Sequence, residues 1–449
     1  MDLKIIGGGL AGCEAAWQVA ERDINVVLYE MRPETGTGAH RTGDLAELVC
    51  SNSLGSDLPN RASGLLKAEL RRLGSLLIEC ADASSLPAGG ALAVDRESFS
   101  NLVQEKLTSH PKIRIVRAEV TEIPSPPAVI ATGPLTSQSF SRALKNFTGE
   151  EHLYFYDAIA PIVNYESIDM SIAFRANRYN QGQLEEGDYI NCPMNESQYV
   201  QFHEALVQAK RIPLRDFEKE IMSGVDVGPG VYFQGCQPIE VIAARGEKAL
   251  AFGPMRPVGL TDPKTGRWPY AVVQLRQDNL AGELYNMVGF QTNLTFPEQA
   301  RIFRMIPGLE NATFERYGQM HRNSYLTSPI LLNETLSFTK QPGLFIAGQL
   351  AGVEGYAGNI ASGLVAGVNV ARFIMDSEPI IFPETTMIGA LMRYISHADP
   401  DDFQPMKAIF GLLPKPEDGK KRSKRDRYMY YGERALLDLE RYLDHYPVI

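Results

Sequence analysis

The run from Met1 to Glu30 constrains this chain more than any other stretch. Leu3-Lys4-Ile5-Ile6 reads as a short buried strand, and Gly7-Gly8-Gly9-Leu10-Ala11-Gly12 follows at once. Cys13 to Arg22 then reads as a helix, and Asn25-Val26-Val27-Leu28-Tyr29 as a second strand ending in Glu30. Gly7, Gly9 and Gly12 satisfy G-x-G-x-x-G. In that pattern the first glycine allows a tight turn, the second lets a pyrophosphate approach the backbone, and the third lets helix and strand pack closely. The phosphates would sit on the free N–H groups at the helix N-terminus, where the dipole favours an anion. Glu30 stands where a carboxylate can accept hydrogen bonds from a ribose. A lone glycine fingerprint is weak evidence, but here strand, helix, strand and acid are all in place. The run therefore predicts a dinucleotide site in a Rossmann-like α/β domain. It does not choose between FAD and NAD.

At 449 residues the chain is too long for one simple core, so more than one domain is expected. Apolar content of 44% and charged content of 22% are those of a soluble globular protein. No run of eighteen apolar residues is present, so no membrane span is expected. A strand that begins at residue 3 leaves no room for a signal peptide. The five cysteines, Cys13, Cys50, Cys80, Cys192 and Cys236, form no C-x-x-C pair. Neither a zinc site nor a local redox disulfide is expected, and the setting fits the cytoplasm. A net charge of −10 argues against a chain that is basic overall, while leaving room for a local basic face.

After Glu30, the Gly- and Thr-rich stretch Met31 to Arg41 is placed to wrap a cofactor. Glu47-Leu48-Val49-Cys50-Ser51-Asn52-Ser53 sets a cysteine among small polar residues. Leu65, Leu66, Leu70 and Leu73 mark one face of a helix over Ala62 to Leu73. Val94 to Leu107 reads as a turn and helix, and Lys112 to Ile123 as two short strands. Ala128-Val129-Ile130-Ala131-Thr132-Gly133-Pro134 is a buried strand ending in Thr132 and Gly133, a placement common in two-dinucleotide flavoproteins. From about residue 150 to 330, Tyr, Asn, Gln and Pro become common and helical periods fewer. This region reads as an insertion, because the cofactor pattern resumes at Gly343-Leu344-Phe345-Ile346-Ala347-Gly348-Gln349. A loop through Glu354, Gly355 and Tyr356 follows, then a helix to about Met375, whose N-terminus would aim at a flavin. The expected division is 1–150 and 331–449 for the cofactor domain, the latter with a basic helical tail, and 151–330 for a large inserted α+β domain facing the substrate. The tail holds a basic run from Lys415 to Arg427 ahead of a helix read from Glu433 to Leu443. On charge alone that run reads as a solvated face, with a phosphate-binding surface as its alternative.

Taken together, Gly7 to Gly12, Tyr29-Glu30-Met31-Arg32-Pro33, Leu48 to Ser53, Gln234-Gly235-Cys236-Gln237-Pro238-Ile239-Glu240, Phe252 to Leu260 and Gly352 to Tyr356 resemble the folate- and FAD-dependent tRNA (uracil-5-)-methyltransferases over nearly the whole length. One departure is Met406-Lys407-Ala408-Ile409-Phe410, where asparagines are expected at positions 407 and 409. The resemblance implies that FAD is reduced by NADPH or NADH, that 5,10-methylenetetrahydrofolate supplies the carbon, and that the methyl group ends on C5 of the T-loop uridine of tRNA. The flavin would relay the methylene and its electrons. Within the family's pattern, Gly7, Gly8, Gly9, Leu10, Ala11, Gly12, Glu30, Arg32, Thr132, Gly133, Gly348 and Gln349 would hold the cofactor. Tyr356 would cover the flavin ring; as a residue read alone it is as readily a core tyrosine.

The chemistry asks for thiols. Uracil C5 is a poor nucleophile until something adds to C6, and a cysteine thiolate can do so. An acid/base group must then remove the C5 proton. Cys236 is assigned as the nucleophile and Cys50 as its partner beside the flavin, with the roles open to exchange. Cys13 and Cys80 read as packing residues, and Cys192 stays undecided. A buried T-loop uridine must be extruded at a cost of a few kcal/mol. Phosphate contacts would offset that cost and give the basic tail a purpose. The rival readings are a flavoprotein acting on wobble uridine, the same chemistry on ribosomal RNA, and a non-catalytic flavin-containing RNA-binding protein. A disulfide reductase is disfavoured by the missing C-x-x-C, and the sequence leaves the oligomeric state open.

Overall fold

In the computed structural model, residues 2–37, 39–149, 153–180, 182–212, 237–416 and 420–446 are described. Five apolar runs become parallel strands of one sheet. Their spatial order is Leu344–Ile346, Ala128–Ile130, Leu3–Ile6, Val26–Glu30, Ile113–Arg117. Parallel strands covered by helices are apolar throughout rather than alternating, and these nearly are. The chain order reverses at Leu3–Ile6: the next two strands are laid down on one side of it, and Ala128–Ile130 on the other. Such a switch point opens a crevice beyond the carboxyl ends of the strands.

Helix Leu10–Ala20 packs on helix Tyr356–Ile374 at close range. A Cβ at Gly363 would lie 2.3 Å from the Ala11 carbonyl oxygen, and one at Gly367 2.8 Å from that of Ala15. Tyr356–Ile374 has the length and apolarity of a membrane span, but its window is 83% buried inside this domain. The first helix starts at Leu10, earlier than its sequence suggests, because Gly9 is its N-cap. Lys112 to Ile123 yields only one strand, Ile113–Arg117. An unanticipated helix, Leu76–Ala83, is capped by the Ser75 hydroxyl, which accepts from the Ile78 N–H.

The second sheet is antiparallel and alternates. Its order is Phe174–Ala176, Tyr189–Met194, Ala271–Gln277, Leu284–Met287, Ile162–Asn164, Phe314–Arg316. Ile190, Cys192, Met194, Val273, Leu275 and Met287 face a separate apolar core. Tyr189, Asn191, Gln274 and Arg276 take the opposite face, as a period of two requires. Cys192 is therefore a packing residue, its thiol pushed well up by burial. The buried thiols of Cys13 and Cys80 are raised for the same reason, Cys80 to about 12.

A small sheet of strands Ser53–Ser56, Ala91–Val94 and Ser85–Leu86 meets the antiparallel sheet at Asn52. Its amide donates to the Val94 carbonyl and to the Gln277 carbonyl, both at 3.0 Å, and its oxygen accepts from Arg276 Nε at 3.0 Å. Nearby, the Arg96 guanidinium grips Asp278 at 3.1 and 3.3 Å, and Asp95 accepts from the Leu280 N–H at 2.7 Å. These buried polar links fix the second sheet against the loop that carries Cys50.

Candidate active site

A cleft opens at the switch point, with about 1030 Å³ of empty space when the solvent at its mouth is included. It is lined by Gly7, Gly9, Leu10 and Ala11, by Glu30 and Arg32, by Thr132 and Gly133, and by Gly348, Gln349 and Tyr356. Gly8 and Gly12 do not line it and have structural duties. The Gly8 N–H donates to Glu30 Oε2 at 2.9 Å. A Cβ on Gly12 would sit 1.8 Å from the Gly7 carbonyl oxygen, so only glycine lets helix and strand approach so closely. Gly7 has φ of +108°, and a Cβ there would meet the Ala131 carbonyl oxygen at 2.3 Å. At Gly9 the situation is different: a Cβ would meet nothing within 4 Å and would project into the cleft. Gly9 keeps open a cradle beside the helix N-terminus, and a pyrophosphate fits that cradle. The residues present therefore fit a dinucleotide such as FAD.

Glu30 is buried, and Arg32 holds it on two fronts. The Arg32 Nε and backbone N–H both donate to Glu30 Oε1 at 2.9 Å, while Nη1 donates to Glu47 at 2.9 Å. Burial alone would raise the Glu30 carboxyl; the Arg32 ion pair and the two N–H groups override it, and the group lies below its ordinary value. A carboxylate locked in its charged form is a fixed acceptor for ribose hydroxyls. Gly348, at φ +81°, donates its N–H to the Ser362 hydroxyl at 2.8 Å, and Gln349 donates to Glu354 at 2.6 Å. These bonds shape the turn that leads into helix Tyr356–Ile374.

Tyr356 opens that helix, and its hydroxyl accepts the Cys50 N–H at 2.9 Å. The Cys50 carbonyl accepts from Arg96 Nη2 at 2.9 Å, and Arg96 also donates to the Leu48 carbonyl. Arg276 Nη2 donates to the Ser51 hydroxyl at 2.6 Å. The loop holding Cys50 is thus pinned by the starts of helices Arg96–Ser109 and Tyr356–Ile374 and by the antiparallel sheet. Three guanidiniums, of Arg96, Arg276 and Arg316, lie within electrostatic reach of Cys50. None of the three is legible from sequence as a neighbour of Cys50, because all are distant from position 50 in the chain. Cys236 lies outside the described residues.

The basic run has a different local structure from its sequence reading. Lys424, Arg425 and Arg427 form the start of helix Lys424–His445, which Ser423 caps by accepting from the Asp426 N–H. Cations at a helix N-terminus oppose the dipole. Arg422 stacks over the Tyr430 ring at 4.1 Å, and Lys424 and Arg425 border a groove with Asn60, Arg61 and Tyr428.

Comparison with known proteins bears on this arrangement. Residues 2–378 match the model of the family described as glucose inhibited division protein A. A curated methylenetetrahydrofolate–tRNA-(uracil-5-)-methyltransferase TrmFO of Heliobacterium modesticaldum is 55% identical over 99% of this chain and 98% of its own length. The protein of the same name from Enterococcus faecalis is 55% identical over 97% of both chains. Among solved structures, Aquifex aeolicus GidA superimposes with a TM-score of 0.68 at 18% identity, over 100% of this chain and 75% of its own, a likeness of fold.

Proposed function

The chain belongs to the methylenetetrahydrofolate–tRNA-(uracil-5-)-methyltransferases, within the glucose inhibited division protein A family, and on that basis we propose how its residues share the reaction. It methylates C5 of a uridine in tRNA, with methylenetetrahydrofolate as carbon donor and FAD as cofactor. The observation that carries the assignment of roles is the position of Cys50, whose N–H is held by Tyr356, a residue lining the same cleft as the Gly9 cradle. FAD bound in that cleft supplies the electrons that turn a methylene into a methyl group, and NADPH is the reductant that replenishes them.

The target is the T-loop uridine, presented by residues 151–330 acting as a substrate-facing domain. The Cys236 thiolate adds to C6 of that uridine, and C5 gains enolate character. Cys50 serves beside it as the acid/base group that takes the C5 proton. Arg96, through its bond to the Cys50 carbonyl, positions the loop. The cations at the start of helix Lys424–His445 are assigned to RNA phosphates; their unfavourable place at a helix N-terminus supports that reading over a merely solvated face.

One experiment tests this division. The protein is incubated with labelled methylenetetrahydrofolate, NADPH and either unmodified tRNA or ribosomal RNA, and the label is mapped. Cys236→Ala is expected to keep FAD reducible yet make no ribothymidine and trap no tRNA carrying 5-fluorouridine. Cys50→Ala keeps FAD and loses turnover. Trapping by Cys236→Ala but not by Cys50→Ala reverses the two roles; label on ribosomal RNA alone overturns the choice of target.

A further inference from the structure

A single register row crosses the second sheet. Ala176 stands opposite Tyr189, Tyr189 opposite Arg276, Arg276 opposite Asn286, Asn286 opposite Ile162, and Ile162 opposite Arg316. Residues in one row share a face, and this is the face turned from the second core. On this face Arg276 reaches the Cys50 loop through Ser51 and Asn52, and Arg96 arrives there from helix Arg96–Ser109; Arg316 stands three strands further along, next to a register shift after Phe314. The three cations are not equivalent. Arg96 is committed to Asp278 and to the carbonyls of Leu48 and Cys50. Arg276 is committed to Ser51 and Asn52. Arg316 donates to no described residue, yet it is half-buried and sits within electrostatic reach of Cys50 and Tyr356. Burial, then the charges of Arg96 and Arg41, lower its guanidinium to about 10. A partly desolvated cation held against two others, without an acceptor of its own, is a place prepared for an anion.

We propose that Arg316 is the oxyanion donor of the reaction, its guanidinium hydrogen-bonding O4 of the target uracil. Resting on the thiol chemistry proposed above, the step balances as follows. The cysteine sulfur–C6 bond forms, the C5–C6 π pair moves into C4–C5, and the C4 carbonyl π pair becomes charge on O4, where Arg316 meets it. C5 then bonds to the methylene carbon, whose carrier nitrogen takes the C=N π pair, and the C4 carbonyl returns. Loss of the C5 proton to the acid/base thiolate and of the carrier nitrogen leaves an exocyclic methylene on C5. A hydride, which reduced FAD would supply, adds to that methylene as sulfur leaves C6, so the methyl group and the C5–C6 double bond form together. Two other anions are disfavoured by place. The dinucleotide pyrophosphate belongs at the Gly9 end of the cleft. The carboxylates of a folate lie at the end of that molecule away from its reactive carbon, whereas Arg316 is within electrostatic reach of Cys50 and Tyr356.

The test uses the flavin-loaded enzyme with Arg316→Gln and Arg316→Lys, after flavin content and reduction by NADPH have shown that each variant is folded. Single-turnover trapping of tRNA carrying 5-fluorouridine and steady-state methylation are then measured. Loss of one oxyanion donor lowers kcat by roughly 10²–10³-fold. The expectation for Arg316→Gln is a fall of that size in kcat and in the rate of adduct formation, with KM for tRNA and for folate within about twofold, and partial recovery in Arg316→Lys. A raised folate KM at unchanged kcat overturns the proposal in favour of a folate carboxylate. A raised tRNA KM with a flatter salt dependence overturns it in favour of a phosphate. Adduct formation at the normal rate also overturns it. If the wild-type enzyme itself traps no fluorinated tRNA, the thiol mechanism fails, which is a distinct result from failure of Arg316 alone.

Discussion

The Cys50 N–H and the Tyr356 hydroxyl are joined by a 2.9 Å hydrogen bond across 306 positions of sequence. The bond couples the thiol loop to the first residue of the helix that closes the cofactor cleft. Tyr356→Phe keeps the ring and removes the acceptor, which costs about 1 kcal/mol in a bond of this kind. Flavin content should stay at wild-type level while methylation slows about fivefold, because Cys50 is held less firmly. Equal rates in a stopped-flow methylation assay would show that the bond does not position the thiol.

Gly9 and Gly12 should respond differently to a side chain. Gly9→Leu fills an open cradle and touches no protein atom at Cβ, so the fold should survive while flavin absorbance is lost. Gly12→Ala drives a methyl against the Gly7 carbonyl and should lower Tm markedly, by about 2–3 kcal/mol of overpacking, before flavin is considered. Absorbance at 450 nm (roughly the flavin band) and thermal melts of both variants separate the two effects. Full flavin occupancy in Gly9→Leu would remove Gly9 from the phosphate site.

The cations ahead of and within the start of helix Lys424–His445 should act as a salt-dependent RNA contact. Neutralising Lys420, Lys421, Arg422, Lys424 and Arg425 together should weaken tRNA binding and reduce the slope of log K against log salt by up to about 3–4. Thermal stability should hold or rise slightly, since cations at a helix N-terminus oppose its dipole. An unchanged salt slope would return this segment to a solvated face.

Stability should fall as pH rises from about 5 to 8. Glu69 is buried and accepts the Met387 and Ile388 N–H groups at 2.7 and 2.9 Å, capping helix Met387–His397. Burial pushes its carboxyl up to about 8, against the opposing pull of those two N–H groups. Burial raises the Glu14 carboxyl to about 7 in the same way. Both groups bind a proton in the folded chain over a pH range where the unfolded chain has released it. Their contribution is complete below the ordinary carboxylate range and is lost as pH rises through the folded values. Glu69→Gln should lower Tm at pH 5.5, where one N–H loses a good acceptor, and should flatten the decline towards pH 8. A decline of unaltered steepness would assign the pH dependence elsewhere.

Local patterns made the cofactor half of this protein readable. Gly7 to Gly12 and Glu30 announce a βαβ unit because each glycine answers a contact made within a few residues of itself, or with the neighbouring strand. The antiparallel sheet was visible only as a change of composition, since short strands of alternating polarity carry little signal of their partners. Arg96, Arg276 and Arg316 show the limit best. Each is unremarked in its own segment, and their meaning comes from a register that sets Arg276 and Arg316 in one row and from a fold that sets all three within electrostatic reach of Cys50. The basic run was recognised, but its place at the start of a helix was not, because Lys and Arg are good helix formers whose opposition to the dipole a sequence reading does not weigh.

The close fit of Gly363 and Gly367 against Ala11 and Ala15 also bears on how the chain is made. The glycine fingerprint is made more than 300 residues before the helix that packs on it. At about 5–20 residues per second, the first helix waits tens of seconds for that partner. Throughout the interval its small-residue face at Ala11 and Ala15 lacks the surface that buries it, and the sheet lacks its Leu344–Ile346 strand. The nucleotide cleft is thus completed long after its signature has been synthesised, and flavin capture must wait for both segments.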